Sequence, residues 1–134
     1  MKKIEHIGIA VRDIEQSNAL FAKIFGEPAY KTEKVESENV STSFFKVGEN
    51  KIELLQATNP DSAIAKFIEK KGEGIHHLAF CVKNIESAIA EVESKGIQLI
   101  DKTPRKGAEG LDISFLHPKS TKGVLTELCE NKNL

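Results

Sequence analysis

The feature that most constrains this chain is an internal repeat: IEHIGIAVRDIE at residues 4–15 returns as IHHLAFCVKNIE at residues 75–86. Ile4 matches Ile75, His6 matches His77, Val11 matches Val82, Ile14 matches Ile85 and Glu15 matches Glu86, while Asp13 is matched by Asn84. A duplicated segment makes the chain two copies of one supersecondary module, neither of which buries much of a core alone. Each copy carries a histidine at the same place, so the duplication also bears on chemistry.

The 134 residues suit one domain, built from module 1 at about residues 1–58, a linker helix at about 60–72 and module 2 at about 74–130. Nineteen basic and twenty acidic residues leave a net charge of −1, which argues against a nucleic-acid or membrane partner held by bulk charge. Cys81 and Cys129 lie far apart with no C-x-x-C spacing, so free, buried thiols in a reducing compartment are expected. At the N-terminus Glu5, His6 and Arg12 interrupt the apolar run, giving neither a signal peptide nor a membrane span. A cytoplasmic protein is expected.

Residues 4–11 read as a strand. Asp13 then caps a helix in which Leu20, Phe21, Ile24 and Phe25 return at helical spacing, and Gly26 with Pro28 stops it. Strands follow at residues 30–35, 40–47 and 51–55, the last two joined by a turn at Gly48, Glu49 and Asn50. Ser62 caps a short helix carrying Ile64, Phe67 and Ile68 up to Lys71. The plan then repeats: a strand at 75–82, Asn84 as cap, a helix to Lys95 presenting Ile85, Ala88, Ile89 and Val92, and Gly96 as its stop. Strands are expected at residues 98–101, 113–116 and 125–129, with a polar Gly-rich loop at 103–110 and a loose end at 131–134. The class is α+β, two tandem βαβββ modules.

Period-two alternation sets His6 on one face with Gly8 and Ala10, against Ile7, Ile9 and Val11 on the other. His77 likewise shares a face with Ala79 and Cys81, against Leu78, Phe80 and Val82. Small residues beside a histidine leave room for something that is not protein. Near the end of each module one glutamate, Glu53 or Glu127, stands in an apolar strand. A desolvated carboxylate must be paired, hydrogen-bonded or metal-bound. His6, Glu53, His77 and Glu127 together offer two neutral nitrogens and two anionic oxygens, a set suited to one divalent ion among Co, Mn, Ni, Zn and Fe. Taken singly, each reads more readily as a hydrogen-bonded core histidine or a solvent-facing glutamate than as a ligand; recurrence in both modules reverses that and favours ligands. His76 takes the place of Glu5 on the opposite face and is read as a supporting or surface residue, and His117 as a loop or pocket residue.

With those residues in view, the paired modules resemble the vicinal oxygen chelate superfamily, which includes glyoxalases and extradiol dioxygenases. Within it, HIGIAVRDIEQS, GIHH, SAIAKFI and FLHPKSTKGVLTEL resemble the methylmalonyl-CoA epimerase family. The resemblance implies a half-open barrel around a divalent metal held by His6, Glu53, His77 and Glu127. The implied reaction is epimerisation of (2R)- and (2S)-methylmalonyl-CoA by proton transfer at C2 through a metal-stabilised enolate, with Glu127 as catalytic group. Some epimerases carry a second glutamate where this chain has Thr42, so the second proton-transfer group is unassigned. Thr42, Lys106, Lys119 and Ser120 are the expected substrate-binding residues, and Lys102, Arg105 and Lys122 are further cations for coenzyme A phosphates. A homodimer is implied, since the family is commonly dimeric. The alternatives are a glyoxalase I-type lactoylglutathione lyase and a metal-free module that binds a small molecule. An extradiol dioxygenase is disfavoured, because its Fe(II) wants two histidines, one carboxylate and open positions, whereas this chain offers a fourth ligand.

Overall fold

The computed structural model describes residues 1–132; Asn133 and Leu134, part of the loose end expected at 131–134, lie outside the described residues. The chain divides into two compact units, His6–His76 and Met1–Glu5 together with the chain from His77 onward. Among the described residues no helix is long and apolar enough to cross a membrane.

The first unit holds most of β1 (Lys3–Ala10), then α1 (Ile14–Phe25), β2 (Lys31–Val35), β3 (Val40–Val47), β4 (Asn50–Ala57) and α2 (Ala63–Lys71). Its strands lie in the order β2-β3-β4-β1, with β1 parallel to β4 and the other neighbours antiparallel. Asp13 caps α1 by accepting from the Gln16 N–H at 3.0 Å, and Gly26 closes the helix at φ 78°, a left-handed conformation that costs glycine little. The helix covers the bulky face of the strands: Val11, Phe45 and Leu54 are buried beneath Ile14, Phe21, Ala22 and Phe25. The Phe25 and Phe45 rings stand 5.5 Å apart. Leu20 and Ile24, expected on that packing stripe, are 54% and 61% exposed, because a short helix on a sheet buries a narrower arc than its apolar residues span. Ser62 caps α2 as expected, accepting from the Ile64 N–H at 3.1 Å, and α2 packs against β4.

The second unit repeats the plan with β5 (Gly74–Cys81, from His77), α3 (Ile85–Ser94), β6 (Arg105–Lys106), β7 (Asp112–Leu116) and β8 (Thr126–Glu130). The strand order is β5-β8-β7-β6, with β5 parallel to β8. Asn84 caps α3 through the Ser87 N–H at 2.8 Å. Ile85 and Ile89 of α3 bury Val82, Leu116 and Leu128, joined by Ala88 and Val92. Cys129 is buried, Cys81 is half-buried and neither is bridged. Each module is therefore βαβββ, as the repeat implied.

The strand expected at residues 98–101 is not continuous. Leu99 makes an isolated bridge to Leu116, and regular pairing resumes at Arg105 opposite Ile113. Between them the chain bulges, and Pro104 has no N–H for a ladder. The Ile100 N–H still donates to the Phe115 carbonyl at 2.8 Å, and Asp101 adds to this: its carboxylate accepts from the Phe115 N–H at 3.0 Å and its carbonyl accepts from Ser114 Oγ at 2.6 Å.

Two contacts that local pattern does not show tie each helix to the last strand of its module. Gln56 Oε1 accepts from the Ile14 N–H at 2.7 Å, and Glu130 Oε1 accepts from the Ile85 N–H at 2.8 Å. Each acceptor stands three residues after Glu53 or Glu127, hence on the opposite, helix-covered face. A first-turn N–H with no intrahelical partner is thereby satisfied.

Charge closes the outer edge of the second unit. Asp112 receives Lys106 Nζ at 2.7 Å and Lys132 Nζ at 3.3 Å, and Lys132 also reaches Glu86 at 2.6 Å. The hydrogen bond from Lys106, reinforced by Lys132, holds the Asp112 carboxyl below its usual range. A lowered carboxyl pKa adds stability above its ordinary value and loses it as the pH falls through the lowered one. The wild type should therefore lose more stability than Asp112→Asn as the pH drops from about 5 toward about 2, read from urea midpoints; parallel curves would contradict the bridge. Gly107, in the turn before β7, has no room for a side chain, since a Cβ there would stand 2.8 Å from Ile113 Cδ1. Gly107→Ala should destabilise the protein by roughly 1–3 kcal/mol in denaturant unfolding, the usual cost of forcing an extra group against a packed neighbour.

Candidate functional site

In the first unit, strand register decides what faces His6. Gly8 is paired with Glu53 and Ala10 with Leu55 across the parallel β1–β4 ladder, so His6, Gly8, Ala10 and Glu53 share a face. Phe44 stands opposite Glu53 and Thr42 opposite Leu55, on that same side. His6 Nε2 lies 3.6 Å from Glu53 Oε1, and both residues are 4% exposed.

The second unit builds the same pair. Ala79 is paired with Glu127 and Cys81 with Cys129, placing His77, Ala79 and Glu127 together. His77 Nε2 lies 3.3 Å from Glu127 Oε1, and both side chains are buried. Phe115, opposite Glu127 on β7, sets its ring edge against His77 at 5.6 Å and 82°. The face carrying each pair is the one its helix does not cover.

These donor sets suit a divalent ion. Neighbouring ligands each about 2.1 Å from one ion lie about 3.0–3.4 Å apart, while an N–H···O hydrogen bond is about 2.7–3.2 Å. The His77–Glu127 separation falls in the first range and the His6–Glu53 separation just beyond it. One imidazole and one carboxylate per module also neutralise much of a dication's charge.

The other sequence-derived residues fall in different surroundings. Thr42 is buried and its hydroxyl donates to the Glu33 carbonyl at 2.9 Å. Lys106 pairs with Asp112, and Ser120 Oγ accepts from the Gln98 N–H at 2.9 Å. Lys119 is exposed on a 3-10 turn, Pro118–Ser120, whose first residue follows His117; the His117 Nδ1 accepts from the Lys119 N–H. His76 lies on the face opposite His77, edge-on to the Phe67 ring of α2 at 4.9 Å and 87°. Burial there lowers its pKa to about 4, so it is neutral at pH 7.

The local sequence pattern does not point to Phe115 or Asp101. Alternation along residues 112–116 would have put Phe115 beside Ile113 and away from Ser114, but which face that was depended on pairing with β8.

Comparison with known proteins agrees with this geometry. The model of the glyoxalase/bleomycin resistance protein/dioxygenase superfamily matches residues 5–115. Uncharacterized protein YqjC of Bacillus subtilis is 39% identical over 132 residues, covering 98% of this chain and 94% of that protein. The mitochondrial methylmalonyl-CoA epimerase of Homo sapiens is 36% identical over 127 residues, covering 94% of this chain and 72% of that protein. Among solved structures, Streptomyces coelicolor methylmalonyl-CoA epimerase in complex with 2-nitronate-propionyl-CoA superposes with a TM-score of 0.96 at 34% identity, covering 100% of this chain and 97% of the other. The chain belongs to the glyoxalase/bleomycin resistance protein/dioxygenase superfamily and, within it, to the methylmalonyl-CoA epimerase family.

Proposed function

We propose that this chain interconverts the (2R) and (2S) forms of methylmalonyl-CoA by removing and returning the proton on C2. The observation that carries the reading is the pair of buried His–Glu couples, one in each copy of the repeat, in a chain of the epimerase family. His6, Glu53, His77 and Glu127 would hold one divalent ion, drawn from Co, Mn, Ni, Zn and Fe. Bound there, such an ion would polarise the substrate's carboxylate and thioester oxygens and make the C2 proton easier to remove.

The protein's own groups would do the rest. Glu127 is the proton-transfer group on one side of C2, a carboxylate held at a fixed place in the buried site. His77 fixes its position from 3.3 Å and Phe115 covers the imidazole, limiting water at the reacting carbon. Thr42 contributes shape and not a titrating group, because its hydroxyl does not ionise near neutral pH and is donated to a carbonyl. Gly8 and Ala10 beside His6, and Ala79 beside His77, keep bulky side chains away from each histidine. Assembly as a homodimer in the cytoplasm belongs to the same proposal, and light scattering of the purified chain tests the dimer.

The experiment is deuterium incorporation at C2 of methylmalonyl-CoA in D2O with metal-loaded protein. Exchange well above that of chelator-treated protein is expected, with no turnover of a glutathione hemithioacetal; exchange equal to the chelated control would overturn the reading. Glu127→Gln should reduce exchange by about a hundredfold or more, the usual scale for loss of a general base. Metal content by mass spectrometry should fall in His77→Ala and stay at the wild-type level in His76→Ala, whose ring faces α2 instead.

A further inference from the structure

Inversion at C2 needs a proton removed on one side and delivered on the other, and Glu127 serves only one side. The ladders of the first unit show which other groups share a face with His6. Across β1, β4, β3 and β2, one row runs Gly8, Glu53, Phe44 and Lys31, and the next runs Ala10, Leu55, Thr42 and Glu33. The two rows are two residues apart along each strand, so both project from the same side of the sheet. Glu53 and Glu33 are the carboxylates that these strands place on that side. Glu53 lies against His6; Glu33 stands two strands further out.

Glu33 is held in place without being fully buried. Its carbonyl accepts from Thr42 Oγ1 at 2.9 Å, and Thr42 is 1% exposed, which ties β2 to an immobile neighbour at this point. Its carboxylate lies 3.4 Å from Lys31 Nζ, two residues back on the same face. Among the residues of β2 only Glu33 and Val35 are shielded from water, and both belong to this face. A charge that served only to keep an edge strand from pairing with other chains would stand on the exposed side, where Lys34 is. The Glu33 side chain keeps 29% exposure, so water can exchange its proton.

We propose that Glu33 is the second proton-transfer group of the epimerisation. This rests on the epimerase reading. In one direction Glu127 accepts the C2 proton as the C–H bond breaks and its electron pair passes into the enolate. The Glu33 carboxylic acid then gives its proton to C2 from the other side, and the enolate pair forms the new C–H bond. Glu127 ends protonated and Glu33 ionised; exchange with water resets both, and the reverse direction starts from the opposite protonation states.

The test follows each epimer separately in D2O with Glu33→Gln, which keeps the size of the side chain and removes its proton chemistry. Glu33→Ser is read in the same way, and thermal unfolding and metal content identify the variants that are folded and loaded. Interconversion of the epimers should fall by about a hundredfold or more. One epimer should still take up deuterium at C2 with its configuration kept, because Glu127 removes and returns the proton on its own side. Exchange of the other epimer should fall together with interconversion. Equal loss of exchange for both epimers in a folded, loaded variant would mark a role in shape alone and overturn the proposal, as would interconversion at the wild-type rate. If the wild type exchanges both epimers and the variant still interconverts them, this inference alone fails; if the wild type exchanges neither, the epimerase reading fails with it.

Discussion

A carboxylate buried in a sheet needs a positive or polar neighbour, and much of this structure follows from meeting that need twice. Glu53 and Glu127 are each 4% exposed, next to the buried apolar residues Leu54 and Leu128. Left alone, such a charge would cost several kcal/mol. Each is met by the histidine of its own module, at 3.6 and 3.3 Å. The contact depends on the first and last strands of a module being parallel neighbours, and the helix crosses on the opposite face from the first strand to the second, at the far edge. Topology and site are therefore one arrangement.

The helix-covered face of each module carries a compact apolar layer. Phe21, Phe25 and Phe45 in one module, and Ile85, Ile89 and Leu128 in the other, form the compact packing. Gln56 and Glu130 then tie each helix start to the strand that presents the glutamate. A glutamate on one face and a helix anchor three residues on, pointing the other way, hold that strand from both sides.

Where the two modules differ, the differences fall around the shared plan. Module 1 puts Thr42 beside the glutamate face and donates its hydroxyl to a neighbouring carbonyl. Module 2 breaks its edge strand, and the break brings Asp101, Arg105 and Phe115 together. Duplication supplies matched His–Glu pairs, while the unmatched segments differ in the side chains that they place around them.

The sequence by itself determined the βαβββ plan, the caps at Asp13, Ser62 and Asn84, and the face shared by each histidine with its small neighbours. Those are properties of a few consecutive residues: helical or alternating periodicity, and side chains that compete for the first N–H groups of a helix. Only the tertiary structure decided that Phe115 covers His77, that Arg105 turns inward while Lys106 turns to Asp112, that Gln56 and Glu130 anchor the helices, and that the strand expected at residues 98–101 is broken. Each depends on register between strands far apart in the chain. A shift of one residue reverses every side chain of a strand, and packing across the whole module sets that register, not the local pattern.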